Sequence, residues 1–305
     1  MELKTTDLGD GLYQIDAGMQ GQPERLACYL FDGPERVLVE CGPSVTMHHL
    51  LDGLADLGVD DLATIVVTHI HLDHAGAAGQ MAQRFPEAKI GVHSAGARHL
   101  ADPTRLWNSA TRIWGEKGMR TLWGPMEPVA EERLLIIDDD SRVALGAGRF
   151  LDVLYTPGHA KHHIVFYDQV SGGCFVGDAV GIAFPHGHLT QPVTPPPDFD
   201  PVLVVGQLHR LAKLEPSFLG FAHFGRDPDV MARLAEAEER IDAWVSKVES
   251  LDPDESAINV FRDWVLDGYR SQGYDEGVIA TYDANTFWPM QVAGIRRWLD
   301  ITGAS

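Results

Sequence analysis

A layered α/β sandwich of mixed β-sheets, followed by a helical C-terminal extension, is the fold predicted for this 305-residue chain. Three observations predict it. Short apolar strands and helical stretches alternate through the first 225 residues without the regular strand–helix–strand count of a doubly wound sheet. Beyond Gly225 the texture turns helical and amphipathic, and no further strand is expected. The composition, 45% apolar and 22% charged, is that of an ordinary globular protein long enough to bury a sizeable core. The expected division is a body over 1–225 and a helical extension over 226–305 packed on it.

In chain order, GLYQIDAG, LACYLFDG and RVLVECG within 11–42 are short strands, with DGPER as a hairpin link. Residues 46–57 carry apolar positions at helical spacing. The strand ATIVVTH follows, then a helix over AGAAGQMAQRF, the strand KIGVHS and a helical start at SAGARHLAD. Residues 103–130 are expected to be irregular, with Trp107, Trp114 and Trp123 among Gly and Pro. Strands return as RLLIID, RFLDVLY, HIVFYD and GCFVGD. Residues 185–198 hold five prolines and form a loop. PVLVVGQLHRLAKL is a helix, and SFLGFAH the last strand. Stretches 228–250, 255–271 and 289–301 complete the set as helices.

Charge narrows the partners. With 24 Lys plus Arg against 44 Asp plus Glu, the formal net charge is −20, which argues against nucleic acid and against an anionic membrane surface. The opening MELKTTDLGDGLYQID lacks a basic segment followed by an apolar one, so no signal peptide is expected. No apolar run is long enough to span a bilayer. Cys28, Cys41 and Cys174 form no CxxC pair, which fits a reducing, cytoplasmic setting better than a disulfide framework.

The densest chemical signal is THIHLDHAG, residues 68–76. His69 and His71 stand two apart in extended chain and leave on the same side; Asp73 and His74 follow at the turn into a helix. So many ligand-type side chains in one short segment are costly to bury without a cation to pair them. One metal needs three or four donors, so two sites require more residues from elsewhere. Three other apolar strands each run into one candidate: RFLDVLY into TPGH and His159, GCFVG into Asp178, and SFLGFA into His223. Strand ends gathered along one sheet edge are a common way to build such a site.

On these residues, HxHxDH followed by spaced His, Asp and His, the chain resembles the metallo-β-lactamase superfamily of dinuclear hydrolases, in its glyoxalase-II-like and lactonase-like branch. The resemblance spans roughly residues 8–225. It implies an αββα sandwich of two mixed β-sheets flanked by helices, with the site at one edge. It also implies two divalent metal ions: His69, His71 and His159 on the first, Asp73, His74 and His223 on the second, and Asp178 bridging them. Zinc suits this nitrogen- and oxygen-rich set, with iron or manganese as alternatives. A hydroxide held between two such cations would be a nucleophile at neutral pH, and Asp73 could pass a proton to the departing atom.

Departures from the relatives narrow the chemistry. Asp178 stands where the true β-lactamases lack a bridging aspartate, so antibiotic hydrolysis is not expected. Acyl-homoserine lactonases place a tyrosine three residues after that aspartate, where this chain has Gly181. No glutathione-binding basic motif is evident in 226–305. Many relatives have Asp-Thr-Gly where this chain has Glu40-Cys41-Gly42; Glu40 either orients a ligand histidine or caps the surface, and Cys41 is a small packed residue. His163 matches a histidine with a structural role in the family, and His162 precedes it. His186 and His188 are loop histidines that either face solvent or touch substrate. The tryptophans of 103–125 either wall a pocket with 181–197 or serve as core or as the face of a homodimer, and Phe287, Trp288 and Met290 could reach the same cavity. The favoured function is hydrolysis of a small-molecule ester, thioester or lactone. An iron-dependent oxidoreductase or a non-catalytic ligand sensor on the same scaffold are the alternatives.

Overall fold

The computed structural model describes residues 3–185, 187–254 and 256–303. The described residues divide into two compact units. The first comprises those up to 155 with 162–177 and 216–228; the second comprises 156–161, 178–215 and those from 229 onward.

The first unit carries both sheets. In one, β1 (Thr5–Gly9), β2 (Leu12–Asp16), β3 (Ala27–Phe31) and β4 (Val37–Val39) pair antiparallel in sequence order. β5 (Thr64–Val66), β6 (Lys89–Val92) and β7 (Leu134–Ile136) then add in parallel. The second sheet contains β8 (Arg142–Gly146), β9 (Arg149–Tyr155), β10 (Ile164–Asp168), β11 (Gly173–Gly177), β12 (Phe218–Phe221) and β13 (Gly225–Asp227). Its neighbours are antiparallel except the parallel pair β11–β12.

Alternation along the strands sorts the side chains into two cores. Cys28, Leu30, Leu38, Ile65 and Ile90 pack with Leu50 and Leu54 of α1 (Met47–Asp56), Met81 of α3 (Ala78–Arg84) and Leu100 of α4 (Ser94–Ala101). Their neighbours Tyr29, Phe31, Val37, Val39 and Val66 turn the other way and meet Val153, Phe166 and Phe175 of the second sheet. Tyr29 anchors that face-to-face packing. Its ring meets Phe175 edge-on at 4.7 Å, and its hydroxyl donates to the Phe221 carbonyl at 2.7 Å. Truncating so large a buried ring costs about 3–5 kcal/mol.

The second unit holds α6 (Pro201–Ala212), α7 (Val230–Glu249), α8 (Ser256–Ser271), α9 (Glu276–Asn285) and α10 (Trp288–Thr302). Asp200 caps α6 by accepting from the Val202 and Leu203 amides, with Pro201 at its first position. Trp244, Phe261 and Trp288 form an aromatic core among α7, α8 and α10, with ring centroids 5.0–6.1 Å apart. Trp288 is therefore core rather than a cavity wall.

Several elements differ from the sequence expectation. The stretch expected to be irregular contains α5 (Thr104–Gly118), kinked at Gly115, whose φ is +66°. Only its Ala110 is buried, and others among its apolar residues lie partly buried against a small satellite cluster, so few of its positions read as core. β1, β8 and α9 also lie outside the expected elements. β1 is largely exposed, and α9 buries only Ile279 and Tyr282 within the helix, so neither shows a long apolar pattern. β13 follows β12 as the true last strand, three residues too short to register as one.

Two predictions follow from this packing. Asp168 is fully buried; burial alone would raise its pKa, but hydrogen bonds from Arg149 Nε and Nη2 and from Ser171 outweigh it and hold the carboxyl below its ordinary range. The stability it contributes is complete above the unfolded-chain value and fades as pH falls through the lower folded value. Asp168→Asn should thus lose roughly 2–3 kcal/mol at neutral pH, with the gap from wild type shrinking in denaturant titrations run at increasingly acidic pH. Equal gaps at all pH values would remove the charge from the account. Burial also pushes the thiols of Cys28, Cys41 and Cys174 up, that of Cys174 to about 12. A polar thiol reagent should label none of the 3 cysteines in the native protein and all of them in denaturant; fast native labelling would contradict the burial.

Candidate metal centre

The first unit brings together His69, His71, Asp73, His74 and His223. β5 ends at Val66, and the chain continues extended through Thr68 to His71, which precedes the single turn α2 (Leu72–Ala75). The His71 carbonyl accepts from the amides of His74 and Ala75, so that turn sets Asp73 and His74 on their faces. Gly76 closes it: a Cβ there would lie 2.3 Å from the Leu72 carbonyl oxygen. Asp73 stands between two histidines, one oxygen 3.9 Å from His74 Nε2 and the other 3.5 Å from His223 Nε2. One donor atom from each of Asp73, His74 and His223 lies within 4.8 Å of the others. His69 Nε2 and His71 Nδ1 face each other at 2.9 Å, close enough to serve one cation.

What aims these rings is the partner on the far nitrogen. His74 Nδ1–H donates to Glu40 Oε1 at 3.1 Å, and His223 Nδ1–H donates to the Arg25 carbonyl at 2.7 Å. The Thr68 hydroxyl donates to Glu40, which leaves its oxygen to accept from His69 Nδ1 at 3.1 Å. Each of the three rings is thereby held in the tautomer that presents Nε2 as a donor to a metal.

Glu40 is thus the orienting residue, not a surface cap. It is 1% exposed, and its backbone sits at φ +69°, an uncommon conformation for a residue other than glycine. The next two residues complete the hold: the amides of Cys41 and Gly42 donate to the His74 carbonyl at 3.0 and 3.1 Å. Cys41 packs in the core, and its thiol also approaches that carbonyl at 3.3 Å. His163 is fully buried with its ring 4.8 Å from that of His69. Gly177, at φ +49°, lets β11 pass this group, since a Cβ there would come 2.4 Å from Thr68 Oγ1 and 2.9 Å from His163 Nε2. His162 Nδ1 accepts from the Ile70 amide at 3.4 Å.

The second unit brings together the other two candidates. His159 Nε2 lies 3.5 Å from Asp178 Oδ2, and His159 Nδ1–H donates to the Val193 carbonyl at 3.1 Å, the same arrangement as at the other rings. Gly181 has φ +104°, and a Cβ there would fall 2.2 Å from the Gln191 carbonyl oxygen. A side chain at this position requires a different backbone path, so the tyrosine of the lactonases has no simple equivalent here. His188 is exposed, and His186 lies outside the described residues.

Trp123, 6% exposed, packs with Leu72, Ala110 and Met119, while Trp107 and Trp114 lie partly buried against them. Trp123 is therefore core that seats Leu72, the residue between His71 and Asp73. Ser44 ties this segment down by donating to the Trp123 and Pro125 carbonyls.

The donor set fits divalent metals: imidazoles and carboxylates that are buried or partly buried, with His69, His74, His159 and His223 each held by a partner on the other nitrogen. The comparisons agree. Residues 23–223 match the family model described as the metallo-beta-lactamase superfamily. A metallo-beta-lactamase fold-containing protein of Sulfurisphaera tokodaii is 30% identical over 247 residues, covering 78% of this chain and 86% of that protein. A hydroxyacylglutathione hydrolase of a Synechococcus strain is 25% identical over 250 residues, covering 77% and 83%. Among solved structures, an archaeal metallo-beta-lactamase superfamily protein from Sulfolobus tokodaii superposes with a TM-score of 0.66 at 26% identity, covering 94% of this chain and 99% of that one. A family protein from Thermus thermophilus shares the fold at a TM-score of 0.69 and 23% identity, covering 98% and 96%. Motif, αββα architecture and the length of these matches together place the chain in the metallo-beta-lactamase superfamily.

Proposed function

We propose that the protein is a metal-dependent hydrolase that cleaves an ester, thioester or lactone of a small molecule. The carrying observation is the convergence of Asp73, His74 and His223, with both rings tied at Nδ1 and turned to offer Nε2. In this reading His69, His71 and His159 would hold one cation and Asp73, His74 and His223 the other, with Asp178 a further ligand of the centre. Zinc is the metal proposed, on the chemistry of the donors. Relatives named hydroxyacylglutathione hydrolase support a hydrolytic reaction at an acyl group.

Bound divalent cations would supply Lewis acidity and lower the pKa of water toward neutrality. The chain's own residues do the rest. Glu40, the Arg25 carbonyl and the Val193 carbonyl hold a proton on Nδ1 of their histidines and fix the direction in which Nε2 points. Asp73, with its side chain 23% exposed, is the carboxylate open enough to pass a proton to a leaving atom. The net charge of −20 favours neutral or weakly charged substrates over polyanions.

Protein purified without chelators should carry about two zinc ions per chain. Chelation should abolish hydrolysis across an ester, thioester and lactone panel, and zinc should restore it. Full activity in metal-free protein would sink the proposal, and iron as the main metal would shift it to oxidoreduction. Asp178→Ala should lose metal and hydrolysis together, by about 100-fold or more in rate; wild-type rate with both metals retained would remove Asp178 from the centre. Glu40→Ala should weaken metal binding about 10–100-fold in chelator competition, because the His74 and Thr68 donors lose their acceptor. Unchanged affinity would reduce Glu40 to a structural role.

A further inference from the structure

We propose that Gln291, in the C-terminal helix α10, is a positioning residue for His159, an assignment that rests on the reading of His159 as a ligand. The chain of contacts lies within the second unit. His159 Nδ1 donates to the Val193 carbonyl. The next residue, Thr194, is fully buried, and its amide donates to Gln291 Oε1 at 2.6 Å. Its hydroxyl lies 2.9 Å from both Gln291 Oε1 and the Gln291 carbonyl. Gln291 is itself buried, 3% exposed, so one side-chain oxygen accepts from two buried donors that have no access to water.

One turn further along the same helix face, Gly294 lets α10 press against this segment. A Cβ there would lie 1.9 Å from the Thr194 carbonyl oxygen and 2.9 Å from the Pro195 carbonyl carbon. The backbone of 194–195 is thus gripped from two positions of one helix. That grip fixes where the Val193 carbonyl points, and with it the proton and direction of the His159 ring. Other helices hold the same loop nearby: Tyr269 and Thr286 engage the Gln191 side chain, and Arg240 donates to the Thr190 carbonyl. Gln291 differs from them in acting next to the carbonyl that His159 uses.

The test reads the ring directly as well as the metal. In metal-free, nitrogen-15-labelled protein at about pH 8, above the ordinary histidine pKa, long-range proton–nitrogen spectra report which imidazole nitrogen carries the proton. The His159 signal is identified by its loss in His159→Ala. Wild type should show the Nδ1–H tautomer. Gln291→Met keeps the volume but removes the acceptor, and should mix the two tautomers and weaken one of two zinc constants about 10-fold in chelator competition. Gln291→Glu, which keeps an oxygen acceptor, should restore both readouts. Should Gln291→Met not fold, Thr194→Val removes the hydroxyl contacts alone and should change both in the same direction. A wild-type tautomer in a folded Gln291→Met or Thr194→Val variant overturns the proposal. Mixed tautomers with both zinc constants unchanged would instead keep Gln291's hold on the ring and overturn His159 as a ligand.

Discussion

A buried imidazole can offer one nitrogen to a metal only if its other nitrogen has somewhere to place a proton, and much of this structure answers that requirement. Three different devices meet it at His74, His223 and His159: a carboxylate, Glu40, and two backbone carbonyls, those of Arg25 and Val193. None of these acceptors is close in sequence to the histidine it serves. The fold therefore has to bring each one from a separate segment and hold it where a shift of less than an ångström would break the bond. Left without acceptors, the same rings would each bury an unmet donor at a cost of about 1–3 kcal/mol, and their tautomers would be mixed.

The strand ends are what make this placement affordable. β4 delivers Glu40 one residue past Val39, β5 leads into Thr68 and His69, and β12 leads into His223. β4 and β5 are parallel neighbours in register, Val39 opposite Val66, so their ends arrive together. The Glu40 amide completes that ladder by donating to the Val66 carbonyl, and the backbone then turns through a left-handed conformation that sends the carboxylate toward Thr68 and His74. The conformational cost at Glu40, of order 1–3 kcal/mol, is one a cap on the surface would not need. It persists because Cys41 and Gly42 lock the following turn onto the His74 carbonyl.

This division explains which features were legible in the sequence. The ligand candidates stood out because metal-binding residue types cluster locally in HIHLDH and because each remaining candidate closes an apolar strand. The strands that form the two cores were legible through their near-continuous apolar runs, while β1, β8 and β13 were short or exposed and left little pattern. α5 was obscured because its apolar residues cover a satellite cluster around Leu72 rather than the main core. Glu40 stayed ambiguous for a different reason: nothing local distinguishes a carboxylate at a strand end that caps from one that orients, and the deciding partners lie 28 and 34 residues away. Backbone acceptors such as Arg25 and Val193 carry no residue-type signal at all, and Gln291 is an unremarkable polar residue until its distance from Thr194 is known.

The C-terminal helices of the second unit spend their buried polar groups on one target, the loop that follows Asp178. Arg233, Glu236 and Arg240 form a nearly buried ionic cluster on α7, and Glu236 accepts from the Thr190 amide. Tyr282 accepts from the Phe184 amide and donates to the Leu189 carbonyl, while Tyr269 and Thr286 hold Gln191. Charges buried to this degree are destabilising unless their partners stay in place, so the cluster penalises any conformation in which the loop moves off the helices. Among the described residues of that loop, the helices thus hold Phe184, Leu189, Thr190, Gln191 and Thr194. Thr194 directly follows Val193, whose carbonyl accepts from His159, so the helices and that ring are tied through one continuous stretch of backbone.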